Sequence, residues 1–393
     1  MFFILDNSFF ILKFEIKHAN ENKNLEKENI FNLDRYSNNT SLFERINDFI
    51  TLCKSNILIN PISYNYDSPP KITAIIPVFN ASETIKYAVR SIQNQNMKEI
   101  EILLVDDHSS DNSLEVINDL IIEDKRIKLI KNKQNKGILY SRSIGALKAK
   151  GKYIMALDND DLFIFGIFNK CYDEAEKNNL DIIEFSGIQI CQNCKIDPKN
   201  IYIPYYLRFK KDGLIVNQPE LSKFIYLKNN TSYSYDFIDV FVWGKLIKTK
   251  IYRKAIKLIR KFIFNYNIYL TEDKILTVAL FRVANSFKYI DIYGIIYIEN
   301  QYSICHSWIR KKKKRILIDF LLFAVFFFNL NKDKEEIQIV IEDLKIRFEE
   351  YNNILDGYYK LLFIKLYNNI LKCKTVTESD KKIIKNLINN NDK

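Results

Sequence analysis

From Lys71 onward, apolar blocks alternate with polar ones in a regular way. Ile72–Pro77 (ITAIIP) is a short continuous apolar run, the pattern of a strand buried on both faces. Asn80-Ala-Ser-Glu83 has capping-box spacing, and Ile85, Ala88, Val89 and Ile92 follow at helical intervals. IEILLVDD repeats the strand pattern. SSDNSLEVINDLI repeats the helix start, with Asp111 or Asn112 as its cap. RIKLIKN reads as a third strand. A third helix begins at about Ile138 and is closed by Gly151, and KYIMALD is a fourth strand.

Strands and helices of these lengths, in alternation, predict an α/β fold with a mostly parallel central sheet. Such sheets bind ligands outside the carboxyl ends of their strands. Three of the strands end in polar residues: Asn80, Asp106-Asp107 and Asp158–Asp161. A parallel arrangement would bring all three to one edge.

The flanking regions read less clearly. Residues 1–70 form an N-terminal extension without a consistent pattern, and Pro69-Pro70 marks its boundary. After Asp161 the spacing predicts a helix near Phe163–Lys177 and a strand at LDIIEFSGIQI, then irregular chain to about Pro219. Helices and strands alternate over 220–300, and the chain is mostly helical beyond Trp308. No internal repeat is visible. The expected division is an extension over 1–70, a catalytic unit over 71–305 and a helical C-terminal region over 306–393.

Composition narrows the function classes. The chain has 393 residues, 47% of them hydrophobic and 27% charged, which suits a globular protein of about two units. Its net charge of +11 suits anionic partners such as nucleotides, nucleic acid or an acidic membrane. The basic residues are dispersed apart from Arg310–Arg315, without an Arg-rich arm or zinc-finger signature, so no nucleic-acid partner is expected. Six scattered cysteines suggest no disulfide framework, and Cys191-Gln-Asn-Cys194 lacks the second pair of a zinc site. The apolar N-terminus lacks the basic start and cleavage site of a signal peptide. No uncharged apolar run reaches ~18 residues, so no membrane span is expected and the default location is cytoplasmic.

Asp158-Asn159-Asp160 supplies hard oxygen ligands at a strand end. These suit Mg²⁺ or Mn²⁺, which keep part of their shell for water and phosphate oxygens. The segments IIPVFNASETIKYAVRSIQNQ, EILLVDDHSSDNS and NKGILYSRSIGALKAKGKYIMALDNDDLF, in that order, resemble the nucleotide-sugar-binding half of a family-2 glycosyltransferase with the GT-A fold. FVWGKLIKT, LTEDKILTVAL and YIENQYSI resemble later landmarks of bacterial polysaccharide members.

The resemblance implies roles. Pro77, Phe79 and Glu83 match positions lining the nucleotide pocket, where an aromatic can stack on the base. Core packing is the other reading of Phe79, and the capping box that of Glu83. Asp107 matches the acid that recognises uracil or ribose, and Arg142 a basic residue facing the diphosphate. Ser143 stands where the family often has Asn, and Lys136 could assist. Asp158 would reach the ribose or the metal shell, Asp160 would ligate the metal, and Asp161 would cap the next helix. Asp273 matches the catalytic base, with Glu272 as its neighbour; first-turn electrostatics behind a Thr271 cap is the competing reading. Trp243 and Lys245 would shape the acceptor side, and His306 either completes the metal site or lies on the surface.

The resemblance therefore implies an inverting, Mn²⁺- or Mg²⁺-dependent transfer of sugar from a nucleotide sugar, with uridine diphosphate as the expected carrier. The expected acceptor is a bacterial surface glycan or lipid-linked saccharide at the inner face of the cell membrane. A catalytically inactive module of the same fold is the alternative. A sugar nucleotidyltransferase is disfavoured because IIPVFNASE lacks a glycine loop. The apolar stretch Ile316–Phe328 is expected either to pack as a core helix or to lie in a membrane interface behind its basic run.

Overall fold

A computed structural model describes residues 69–191, 241–265, 271–299, 310–330 and 357–373. It also describes isolated shorter pieces: 50, 53, 201–202, 213, 215–218, 227–229, 232–234, 268, 340–341, 376–379, 381–382 and 385. In chain order the elements are β1 (Ile72–Val78), α1 (Ile85–Gln93), β2 (Ile100–Asp106), α2 (Ser113–Glu123), β3 (Ile127–Lys131), α3 (Ile138–Lys148), β4 (Tyr153–Ala156), β5 (Leu162–Phe163) and α4 (Ile167–Asn178). Then come β6 (Ile182–Cys191), β7 (Ile201–Tyr202), β8 (Ile215–Asn217), β9 (Leu227–Asn229), β10 (Ser232–Ser234) and β11 (Lys245–Lys248). The last are α5 (Thr249–Asn265), α6 (Glu272–Val283), β12 (Ser286–Glu299), α7 (Arg310–Leu330) and α8 (Gly357–Lys372).

The main sheet runs β3-β2-β1-β4-β11-β6-β12-β5, and β7 and β8 attach to β6 and β12. β3, β2, β1 and β4 are mutually parallel, as is the long β6–β12 ladder; β11 joins the two groups antiparallel to both. This is the expected α/β arrangement with a mostly parallel core. β1 and β2 are buried along their whole length because helices cover both faces, which explains their largely apolar sequences; their internal polar residues pair, Thr73 Oγ1 donating to Glu101 at 2.7 Å. The backbone ladder continues past the strand ends, where Asp107 N–H donates to Val78 O and Leu157 N–H to Ile75 O. The chain thus leaves β1, β2 and β4 at one common edge.

Several local expectations are corrected. α1 starts at Ile85 behind Thr84, and neither Asn80 nor Glu83 forms a capping box. Asn80 sits at φ 50°, and its side-chain oxygen accepts from Ser110 N–H (2.9 Å), so it ties the β1 loop to the β2 loop instead. Gly151 does not close α3, which ends at Ala149. A Cβ at Gly151 would stand 2.4 Å from Thr73 N, so the glycine permits close approach to β1. The residues near Phe163 form the short strand β5, and the helix begins only at Ile167 behind the left-handed Gly166.

On the far side, Ile318, Leu321–Val325 and Phe326–Phe328 of α7 are buried in one cluster with α5 and α6. This settles the reading of residues 318–328 as a core helix. Each such aromatic or aliphatic chain contributes about 1.5–3 kcal/mol by leaving water. Among the described residues no helix is long and apolar enough to cross a membrane. Ile50 and Cys53 of the N-terminal extension are buried against Leu162, Ile188 and Ile296.

Candidate active site

The carboxyl edge carries two groups of acids. The first belongs to β2. Asp107 is 3% exposed and accepts from Asn132 Nδ2 (2.7 Å), Lys136 N–H (2.9 Å) and Gly137 N–H (2.7 Å). Asn132 Nδ2 also donates to Ser141 Oγ at 3.0 Å. Asp107 therefore fastens the turn before α3 onto the end of β2. Beside it, Asp111 accepts from Ser82 N–H and from Ser113. Burial opposes its ionisation, but the Ser113 and Ser82 hydrogen bonds outweigh that and hold its carboxyl down at about 2. Asp111, and not Asn112, thus serves the start of α2.

The second group follows β4. Asn159 lies between Asp158 and Asp160 and donates from Nδ2 to Pro77 O at 3.2 Å, tying the acidic turn to β1. Arg142 rises from the buried face of α3 and is 1% exposed. Its guanidinium donates through Nη2 to Asp158 (2.5 Å) and through Nη1 to Asp273 at the start of α6. Burial alone would discharge it; the charges of Asp273 and Asp158 outweigh burial and raise its pKa. Its Nε–H is buried without a partner.

Asp273 is raised by burial, opposed by Arg142 and reinforced by Asp158; the Val242 backbone N–H also donates to it. Neighbouring Glu272 is raised well above its usual value by burial and then by Asp273, and its Oε2 lacks a partner. Thr271 does not cap α6 with its side chain, because its hydroxyl donates to Asp319 O at 2.9 Å. Buried Tyr252 stands in the field of this group.

Asp160 is pushed up to about 6, first by burial and then by the charge of Asp158. Asp161 does not cap the next helix. It is fully buried, and its Oδ1 accepts from Ile298 N–H of β12 at 2.9 Å while Oδ2 has no partner. Burial, then the charges of Asp160 and Asp158, push its carboxyl well above the usual carboxylate range.

Pro77 lies within β1. Phe79 is 48% exposed at the same edge, which removes core packing as its explanation, and Glu83 is exposed. His306 and residues 300–305 lie outside the described residues.

The Trp243 segment approaches from the other half of the sheet. Trp243 stacks between Phe241 (4.8 Å) and Tyr297 (6.2 Å). Gly244 takes φ 72°, a left-handed turn that suits glycine, and its carbonyl accepts from Phe185 N–H. Lys245, fully buried, lies 3.3 Å from buried Glu184 and donates to Phe241 O at 2.6 Å. Lys245 is thereby a clamp on the strap that presents Val242 N–H to Asp273. The resemblance of FVWGKLIKT brought Trp243 and Lys245 to notice but gave no sign of the Glu184 partner. It also missed Asn132 and Asn159, whose type is too common in this chain to stand out.

Comparison with known proteins agrees with this architecture. Residues 73–241 match the sequence model of the family described as Glycosyl transferase family 2. The chain is 27% identical over 235 residues to EpsJ, an uncharacterised glycosyltransferase of Bacillus subtilis, covering 60% of this chain and 63% of that protein. It is 31% identical over 166 residues to the GalNAc(5)-diNAcBac-PP-undecaprenol beta-1,3-glucosyltransferase of Campylobacter jejuni, covering 37% and 53%. The matched stretch thus spans less than two thirds of either relative's length. Staphylococcus aureus TarS (residues 1–349), crystallised with UDP, superposes with a TM-score of 0.56 at 15% identity over 81% of this chain and 87% of that one. Residues 73–241 of this chain are a glycosyl transferase family 2 domain, built on the GT-A fold.

Proposed function

We propose that the protein is an inverting glycosyltransferase that moves a sugar from a uridine diphosphate sugar to a hydroxyl of a bacterial glycan or lipid-linked saccharide. The observation that carries this reading is the buried Arg142 joining Asp158 to Asp273 at the carboxyl edge of the sheet. One guanidinium couples the donor-side turn to the acid best suited to be the base. Two relatives fit it: one is a glucosyltransferase acting on an undecaprenol-diphosphate glycan, and one shares this fold in complex with UDP. The catalytic unit is taken to run from 71 to 305.

In the proposed reaction the acceptor oxygen bonds to the anomeric carbon as the bond from that carbon to the diphosphate breaks. The nucleoside diphosphate leaves with the electron pair, and the hydroxyl proton passes to Asp273. Burial raises the basicity of Asp273, while Arg142 and Val242 N–H hold its orientation. The unpartnered Nε–H of Arg142 is a remaining donor for a diphosphate oxygen. Phe79, exposed at the edge, offers a face for the base. Pro77 and Glu83 would line the nucleotide pocket beside it. Asp107 acts on the donor through the turn it holds.

The residues present fit a divalent metal of the Mg²⁺ or Mn²⁺ type. Asp160 carries a carboxyl strained by burial beside Asp158, which a cation would relieve. Among the described residues no three His, Cys, Asp or Glu side chains form a closed metal cage, so phosphate and water would complete the shell. The bound metal would neutralise charge on the departing diphosphate.

The test is calorimetric titration with UDP, with and without Mn²⁺, on wild type and Asp160→Asn. This is followed by turnover with UDP-glucose and assignment of the product anomer by NMR. Metal-dependent binding lost in the variant, with an inverted product, is expected. Folded wild type that binds no UDP would overturn the uridine assignment, and donor binding without turnover on any acceptor would favour the inactive module.

A further inference from the structure

Helix α5 carries a charge pattern that the candidate site does not use. Its inner face, Ile251, Tyr252, Ala255, Ile256, Ile259 and Ile263, is buried. On the outer face Lys250, Arg253, Lys254, Lys257, Lys261 and Phe264 form one exposed stripe at helical spacing. The sequence TKIYRKAIKLIRKFIFN contains six Lys or Arg and no acid. The whole chain is far closer to balance, with 59 basic and 48 acidic residues. Among the described residues, none of these six cations has an ion-pair partner. Arg253 instead caps the end of α3 by donating to Ala146 O and Ala149 O, and Arg260 lies over the Phe264 ring at 5.9 Å.

A row of lysines is ordinarily a solvated face. Here large apolar chains stand exposed among them: Phe264 at 46%, Leu258 at 39% and the neighbouring Leu147 of α3 at 44%. Phe264 also makes an edge contact with Tyr140, in the first turn of α3 (5.5 Å). The turn fastened by Asp107 leads directly into that helix, so the apolar end of the stripe lies at the edge that carries the site.

We propose that this face of α5, with Leu147 beside it, docks on a bilayer surface of anionic phospholipid. The ammonium and guanidinium groups would meet headgroup phosphates while their stems and the three apolar chains enter the acyl boundary. RNA would satisfy the cations but leave Leu147 and Leu258 in water, so lipid fits better. The proposal stands on this surface alone and does not depend on the donor assignment.

Co-sedimentation of the full chain with phosphatidylglycerol and with phosphatidylcholine vesicles tests it. The variants are Lys254→Glu/Lys257→Glu/Lys261→Glu and, separately, Lys311→Glu/Lys312→Glu/Lys313→Glu. Wild type should bind the anionic vesicles only, and release should follow added salt. The α5 variant should bind at least about 100-fold more weakly, since each of its three lysines near such a surface counts for roughly a fivefold step. Its circular dichroism should be unchanged. Three results would overturn the proposal: no binding to anionic vesicles, loss of binding only in the Lys311–Lys313 variant, or tighter binding to single-stranded RNA than to the vesicles.

Discussion

The acids after β2 and the acids after β4 look alike in sequence, yet the fold treats them in opposite ways. Asp107 is surrounded by donors of the chain itself: two backbone amides and one side-chain amide. Asp160 is held near the charge of Asp158 with burial acting against it, and its carboxyl rises to about 6. Neutral N–H donors satisfy a carboxylate and hold a turn in place. An underserved carboxylate pair remains available to a cation. The difference teaches that the first acid organises the turn, while the second group, on the proposed reading, serves the ligand.

The sharpest way to break that division is at the base. Asp273→Asn removes the proposed proton acceptor but keeps a hydrogen-bonding group facing Arg142. Under the proposed mechanism kcat should fall about 10²–10⁴-fold, the usual worth of general base catalysis. UDP binding by calorimetry should stay within a few-fold. A variant that turns over normally would remove Asp273 from the chemistry and leave it as a counter-ion to Arg142.

Stability gives the next test. Asp107→Ala strips three donors of their acceptor and should cost about 2–4 kcal/mol in urea denaturation. Asp160→Asn should not destabilise the metal-free protein at all. If Asp107→Ala is as stable as wild type while losing UDP binding, Asp107 contacts the donor directly and the comparison fails.

The contrast was only partly legible in the sequence. The apolar runs of β1, β2 and β4 and their polar ends placed the site edge, because periodicity reports which faces are buried. The sequence patterns could not report partners. Asp107 and Asp158 follow similar strands, and only the fold shows that Asn132 and Gly137 reach one while Arg142 reaches the other. The capping box at Asn80 failed because a tertiary bond to Ser110 competes for the side chain. Asp161 was misread for a like reason: its oxygen serves β12, 137 positions away. The resemblance marks Arg142 as facing the diphosphate, but helical spacing does not reveal that α6 closes over its face and brings Asp273 to it.

A smaller effect should follow at Lys245. Lys245→Met keeps the volume of the stem but frees the Phe241 carbonyl and leaves Glu184 without this partner. Through the strap, Val242 N–H would lose its fixed place on Asp273. A fall in kcat of about 10-fold is expected, with KM for the donor unchanged and with the acidic limb of the pH–rate profile displaced. Equal losses in kcat and donor affinity would instead indicate general disruption of the sheet, and the partial rescue expected of Lys245→Arg would then be absent.

The smallest effect concerns pH in the metal-free protein. The Asp160 carboxyl is pushed up to about 6 in the folded state, above the ordinary 3.8, so protonation favours the folded form. For an acid with a raised value, the stabilising contribution is complete at low pH and is lost as pH rises from about 4 through about 6. Metal-free wild type should therefore lose on the order of 1 kcal/mol across that interval relative to Asp160→Asn, measured by urea titrations at each pH. Added Mn²⁺ should reverse the sign, because binding to the ionised carboxylates stabilises the folded state above pH 6. Asp107→Asn, which keeps Asp160, should retain both the loss and the reversal. The same pH response in both variants would mean that the two groups of acids are not distinct in kind, and that Asp160 is no better suited to a cation than Asp107.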